Sequence, residues 1–210
     1  GWNTGTWDSP EDLSGRTLTI IKVYRNGTAE HKDQETDGFA FIKRQCNHCV
    51  DASCISVCPV SAMTKDPETG IVTHHPDRCI GCRYCVLSCP FRVPRYQYDQ
   101  AFGRIAKCQL CANVPGRTGQ GGMPACADVC PTGATLFGPV ERLKAEARAR
   151  LAKQPGDRHL FPRGDIAGDR SPNDGLIPAY YHGDSTYLSG LYGERELGGV
   201  QCLTLSGVPF

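Results

Sequence analysis

The sequence predicts an α+β chain of short strands and helices folded around repeated cysteine groups, with an extended C-terminal arm. Three observations predict it. The chain has 13 cysteines in 210 residues, and twelve of them fall between Cys46 and Cys130, leaving Cys202 alone. The segments between the cysteine groups are brief strand and turn signals, not long periodic elements. The last 57 residues hold ten Gly and five Pro, close to the composition of a disordered segment.

Composition narrows the function classes. A length of 210 residues suggests one or two domains. At 40% hydrophobic residues a large apolar core is not expected. With 23 basic against 22 acidic residues the net charge is +1, so no electrostatic case exists for nucleic acid or an acidic membrane surface. No apolar run approaches the ~20 residues that span a bilayer, and no export signal is present. The chain begins with Gly1 and not Met, so it reads as processed, tagged or a fragment. An odd cysteine count argues against a fully paired disulfide framework, as does a length beyond the roughly 100 residues typical of disulfide scaffolds. Clustered thiols are better read as metal ligands, and metal binding would add folding free energy that a small core cannot supply.

Residues 1–45 form a strand-rich lead-in. Thr17–Tyr24 is β-rich and stops at Asn26-Gly27, a hairpin signal, and Gly38–Lys43 reads as the returning strand. Residues 46–138 form the cysteine domain. Within it Asp66-Pro67-Glu68-Thr69-Gly70 is a turn, followed by the small strand Ile71-Val72-Thr73. Pro131-Thr132-Gly133-Ala134 and then Thr135-Leu136-Phe137 repeat the pattern. Cys58-Pro59-Val60-Ser61-Ala62 matches Cys130-Pro131-Thr132-Gly133-Ala134, which points to internal repeats. Residues 139–153 are the one clear helix. Pro139 fits its first turn, Glu141 its N-terminus and Lys153 its C-terminus. Val140, Leu143, Ala147 and Leu151 make its apolar stripe, and Pro155-Gly156 ends it. Residues 154–210 read as an extended arm anchored by Phe161, Tyr180, Tyr181, Tyr187, Tyr192 and Phe210.

The cysteine groups carry the chemistry. Cys79-x2-Cys82-x2-Cys85-x3-Cys89-Pro90 is the bacterial run for a [4Fe–4S] cluster. Three thiolates in a tight loop hold three irons of one cubane. The fourth, followed by proline, points away to the neighbouring cluster. Gly81 is expected to let the loop approach the inorganic sulfides. Cys46-x2-Cys49-x4-Cys54-x3-Cys58-Pro59 is the same run with two extra residues in its loop. Cys108-x2-Cys111-x14-Cys126-x3-Cys130-Pro131 has the loop enlarged by a glycine-rich stretch. The fold class is then tandem bacterial ferredoxin-like modules. Swapped fourth ligands give one cluster to Cys46, Cys49, Cys54 and Cys89, and its partner to Cys79, Cys82, Cys85 and Cys58. Cys108, Cys111 and Cys126 then lack a fourth ligand. Either that cluster closes with Cys130, or a fourth group lies upstream of Gly1. The second is preferred, because the swap belongs to the motif. At least two clusters follow, and three or four in the intact protein.

Other readings fit less well. Paired Cys-x2-Cys motifs also make zinc ribbons, so a zinc-stapled interaction module stays open, but zinc does not call for the Cys-x3-Cys-Pro endings. No Cys-x2-Cys is followed by His, which removes haem attachment, and thioredoxin-like chemistry would need one pair and not three groups. Cys202, in the strand-like run Val200–Leu205, reads as a buried structural thiol. His48 reads as a packed or solvent-facing imidazole that tunes potential, and His74 and His75 as surface residues. The loop Gly116–Gly122 lacks the Lys-Ser/Thr of a phosphate loop, and reads as a cover for the third cluster or a partner contact. Arg83, Arg92, Arg95 and Lys107 lie beside ligands, where positive charge would raise a cluster's potential. No nucleophile–base constellation and no substrate-pocket signature is present.

The segments Cys46-Asn47-His48-Cys49-Val50-Asp51-Ala52-Ser53-Cys54, Ser56–Ala62, Asp66–Val72, Cys79–Cys85, Leu191-Tyr192-Gly193-Glu194 and Leu205–Pro209 carry a resemblance. Together they make nearly the whole chain resemble the ferredoxin-type iron–sulfur subunits of hydrogenase-2-like membrane-bound [NiFe] hydrogenases. The cysteine groups alone resemble the wider class that includes subunits of formate dehydrogenases and dimethyl sulfoxide reductase-type enzymes. The resemblance implies four [4Fe–4S] clusters, an export signal, an N-terminal cysteine group and a C-terminal membrane anchor, the last three of which this sequence lacks. It implies hydrogenase small and large subunits and an integral membrane quinone-reactive subunit as partners, on the periplasmic face of the membrane. The expected role is non-catalytic: single electrons pass along cubanes between a hydrogenase module and a quinone site. The alternative keeps that role in a molybdenum or tungsten oxidoreductase.

Overall fold

The computed structural model describes residues 10–24, 40–153, 157–166, 177–180, 191–194 and 199–205. The chain forms two compact units, and the boundary between them falls inside the third cysteine group, after Gln109. The first unit takes in the described residues up to Val23, Phe41–Gln109 and those between Gly193 and Cys202. The second takes in Leu110–Tyr192 and the residues from Leu203 onward, together with Tyr24 and Ala40.

The first unit opens with β1 (Ile20–Tyr24), which pairs with β2 (Ala40–Arg44) where the sequence places two strands. β2 leads directly into Cys46. A single helical turn, α1 (Ser53–Ser56), carries Cys54, and a second, α2 (Tyr84–Ser88), carries Cys85. Between them β3 (Met63–Lys65) pairs antiparallel with β4 (Val72–His74), Met63 opposite His74. Asp66 makes the turn that joins them. Its carboxylate accepts the Glu68 N–H at 3.0 Å and the Thr69 hydroxyl at 2.6 Å, and its carbonyl accepts the Gly70 N–H at 2.8 Å. Gly70 has φ +68°, a left-handed conformation that favours glycine, and the Gln201 side chain packs where a Cβ would stand. β5 (Arg95–Tyr96) and β6 (Ile105–Ala106) form the last small ladder.

The thiols belong to the core. Met63 (2% exposed), Val72 (1%), Ile105, Ala52, Cys54 and Cys85 form one buried cluster, and Leu13, Ile20, Cys46 and Val93 form another. β4 alternates in burial, with Val72 and His74 inward and Thr73 between them half-buried. His74, expected on the surface, is therefore buried: the strand period puts it on the face of Val72. His75 is half-buried, with Nε2 2.8 Å from the Thr64 hydroxyl.

In the second unit, α3 (Ala125–Asp128) carries Cys126, and β7 (Leu136–Phe137) pairs in parallel with β9 (Gly164–Asp165). The predicted helix is α4 (Val140–Leu151), with Pro139 just before it and Glu141 in its first turn. Its stripe is incomplete as read. Ala147 is buried and Val140, Leu143 and Leu151 are half-buried, but Arg150 joins the buried face at 8% exposure. The chain returns as β8 (Arg158–Phe161) and lays Phe161 against that face. The Arg150 guanidinium sits 4.9 Å from the ring centroid and its Nε donates to Glu146 at 2.6 Å. β8 pairs antiparallel with β10 (Ile177–Tyr180), so this part of the arm is ladder. Tyr192 bridges Thr204, while Tyr181, Tyr187 and Phe210 lie outside the described residues. Among the described residues no helix is long and apolar enough to cross a membrane.

The run from Val200 to Leu205, expected as a strand, makes only the isolated bridge at Thr204. Its first residues are held instead by the first cysteine loop. Val50 N–H donates to Gly199 O at 3.0 Å, and Gln201 N–H donates to Asn47 O at 2.9 Å. A segment that follows a loop cannot also follow a flat ladder.

Met63 sits at the centre of the first core. Met63→Ala is expected to lower stability by about 2–5 kcal/mol, the range for emptying a buried Met site. Denaturant unfolding of the metal-loaded protein, variant against wild type, checks this.

Candidate metal centres

The first centre is a cavity whose walls include Cys46, Cys49, Cys54 and Cys89, with Lys107 and the apolar side chains of Val72, Phe91 and Val93. Cys46 and Cys49 come from the loop after β2, and Cys54 from α1. Cys89 arrives from the other cysteine group, at the end of α2. The Ser53 hydroxyl donates to Ser88 O at 3.0 Å, which ties the start of α1 to the residue before Cys89. The structure thus brings the fourth cysteine of one run to the first three of the other.

Electrostatics trace the same groupings. Burial pushes the Cys49 thiol up to about 11, with Cys46 and Cys89 adding to it. Burial pushes Cys54 up to about 12, and the charge of Lys107 opposes this. Cys85 is pushed up to about 11 by burial, and then by Cys79, Cys82 and Cys58. After burial, each of these three thiols feels sulfurs of its own foursome. Cys82 is the exposed member of the second set, whereas Cys85 is buried.

Cys58 and Cys130 differ from the buried thiols. At Cys58 burial pushes up, but N–H groups of Met63, Val60, Ala62 and Ser61 outweigh it and lower the thiol. The Ala62 N–H donates to Sγ at 3.2 Å. Cys130 is lowered in the same way by Thr135, Thr132 and Ala134, with Thr135 N–H 3.4 Å from Sγ. The Cys-Pro-x-x-Ala repeat is therefore a backbone cradle for sulfur, preceded each time by a single helical turn, α1 or α3.

The donor set fits an iron–sulfur cluster. Thiolates are its ligands, and buried N–H donors and apolar walls are the means by which proteins tune one. A single zinc ion at about 2.3 Å from each sulfur would draw its ligands tightly together. Among the described residues no three His, Cys, Asp or Glu side chains converge closely enough for one ion.

The third group is divided between the units. Cys108 lies in the first, and Cys111, Cys126 and Cys130 in the second. Leu110 and Cys111 are left-handed, with φ +49° and +59°. The glycine-rich loop is fastened locally. Thr118 hydroxyl donates to Leu110 O at 2.5 Å, and Arg117 pairs with Asp128 of α3 at 2.7 Å. A Cβ on Gly119 would strike the Ala112 carbonyl.

Of the four cations singled out in the sequence, Arg83 and Arg92 are exposed, and Arg95 pairs with Asp12 at 2.7 Å. Lys107 alone is buried, at 2% exposure. His48 is fully buried. Its Nδ1 accepts the Val72 N–H at 2.9 Å, so it is a packed imidazole, held neutral by burial and by Lys107 and Lys65. Gly81 has φ +70°, and a Cβ there would crowd the Tyr96 ring at 3.3 Å, a second reason for glycine besides the one the sequence suggests. Cys202 donates its S–H to Cys46 O at 3.2 Å and accepts from Gln45 Nε2 at 3.3 Å; burial pushes it up to about 12. The residue, read as buried, is half-buried and hydrogen-bonded on both sides. Its place beside Cys46 had no signal in the sequence.

Known proteins share this pattern. Residues 38–140 match the 4Fe-4S dicluster domain. The hydrogenase-2 operon protein HybA of Escherichia coli O157:H7 is 49% identical over 208 residues, 98% of this chain and 60% of that protein. The formate dehydrogenase-O iron-sulfur subunit of Escherichia coli (strain K12) is 35% identical over 153 residues, 73% of this chain and 48% of that protein. The chain thus spans about three fifths of the length of the HybA proteins it matches.

His74 gives a pH test. Burial, then Lys107, hold its imidazole down at about 4 against an ordinary 6.5. The unfolded chain therefore takes up a proton that the folded one refuses. The resulting stability is full above about pH 6.5 and falls as pH drops toward about 4, with a slope approaching one proton. Unfolding midpoints against pH should show a shallower fall in His74→Asn than in the wild type.

Proposed function

We propose that the chain, whose residues 38–140 match the 4Fe-4S dicluster domain and which is 49% identical to HybA, is an electron-transfer subunit. Cys46, Cys49, Cys54 and Cys89 would hold one [4Fe–4S] cluster. Cys79, Cys82, Cys85 and Cys58 would hold its neighbour, and the spacing of Cys108, Cys111, Cys126 and Cys130 in the sequence supports a third. The observation that carries this reading is the first cavity, where Cys89 joins three thiols of another run. Each cluster, when bound, takes up and releases one electron at a time. The chain's own residues do the rest. Val72, Phe91 and Val93 keep water from the first site, and the Ala62 N–H stabilises negative charge on Cys58.

Relationship to a hydrogenase-2 operon protein supports a particular machine. The partners are then the small and large subunits of a [NiFe] hydrogenase and an integral membrane quinone-reactive subunit, at the periplasmic face of the membrane. The chain is a non-catalytic conductor between them. The 35% identity to formate dehydrogenase iron–sulfur subunits supports a second reading, the same conductor in a molybdenum or tungsten enzyme. Co-purifying nickel or molybdenum separates the two.

Anaerobically purified protein is expected to carry at least about eight iron with matching acid-labile sulfide, two cubanes' worth. Zinc without sulfide would overturn the reading. Cys85→Ser should lose about four iron, one cluster, while Cys202→Ala keeps the wild-type content. Metal analysis of the three proteins side by side checks both expectations.

A further inference from the structure

Lys107 follows β6 and immediately precedes Cys108. The lysine is 2% exposed, and its ammonium donates to two carbonyls, that of Val72 and that of Cys108 at 3.0 Å. Among the described residues it has no carboxylate partner. The nearby imidazoles, His48 and His74, supply no negative charge. A buried ammonium with only carbonyl dipoles around it is expensive, and proteins keep one where an anion compensates it. The place for that anion is adjacent, because Lys107 lines the cavity shared by Cys46, Cys49, Cys54 and Cys89.

We propose that Lys107 is the fixed counter-charge of the cluster held in this cavity, and that it raises that cluster's reduction potential above what the same four thiolates would give alone. The inference rests on the reading that these thiols hold a [4Fe–4S] cluster. An electron arriving there adds one negative charge. A cation that is already buried and already oriented stabilises the reduced state without reorganising, and salt does not screen it. The other cations near ligands act more weakly. Lys65, which donates to Cys49 O at 3.1 Å and Val50 O at 3.0 Å, is half-buried, and Arg83 is exposed over the Tyr96 ring. Lys107 is also a positioning residue, since it holds the carbonyl of Cys108, the first cysteine of the third group.

The test is an anaerobic redox titration of the full chain, followed by electron paramagnetic resonance, for wild type, Lys107→Gln, Lys107→Arg and Lys65→Gln. Gln keeps hydrogen bonding and removes charge; Arg keeps the charge. Lys107→Gln is expected to move one cluster's midpoint to more negative potential and leave the other clusters in place. Lys107→Arg should stay near wild type, and Lys65→Gln should shift less than Lys107→Gln. An unchanged midpoint in Lys107→Gln at full iron content would overturn the inference, as would equal shifts in every cluster. Should that variant not retain iron, the wild type decides. The midpoint of the cluster in this cavity should hold between about 0.05 and 1 M salt, since a buried charge is not screened, and a midpoint that follows salt would overturn the inference. Wild-type protein with neither sulfide nor a reduced-cluster signal would instead sink the cluster reading itself.

Discussion

The structure depends on gathering thiols in a dry place while leaving them able to carry negative charge. These demands oppose each other. Burial favours the neutral thiol, and neighbouring sulfurs add to that, as at Cys49, Cys54 and Cys85. A metal cluster resolves the conflict, because its iron charge replaces the proton and links the sulfurs together. The protein then needs little else at its centre. The apolar cores are small, and Cys46, Cys54 and Cys85 are members of them.

Local features divide the remaining work. At Cys58 and Cys130 the turn after the proline aims N–H groups at sulfur, so these fourth thiols lie in a field that favours charge. At the first cavity, the buried Lys107 forms part of the wall beside the thiols. The C-terminal segment around Gly199–Cys202 clasps the loop between Cys46 and Val50 through backbone bonds, fixing a loop that has no ladder of its own. Core, cradle and clasp all act on the same short pieces of chain.

Much of this was legible beforehand. The Cys-x3-Cys-Pro endings gave the repeats, and α1 and α3 occupy equivalent places in them. The Asp66–Gly70 turn, the strand after it and the helix after Pro139 also stand where the residues place them, while β3 before the turn was not read from the sequence. Readings of side-chain surroundings fared differently. His74 looked like a surface residue because two adjacent histidines suggest polarity, yet the alternation of β4 turned one of them inward. The apolar stripe read for α4 left out Arg150, which is buried where the returning β8 brings Phe161 over it. Lys107 stood as one of four comparable cations, and only its burial set it apart.

The sequence by itself determined the thiol spacings, the turns and the one long helix, because these are set by interactions within a few residues. Spacing also made the exchange of Cys58 and Cys89 the natural arrangement, since a proline-terminated turn points its cysteine out of its own loop. Only the tertiary structure decided what surrounds each site. Gln45 and Cys202 meet across 157 positions, and Lys107 reaches the carbonyl of Val72 across 35. Such contacts leave no periodicity and no motif, because they arise from the packing of separate elements and not from the conformational preferences of any one.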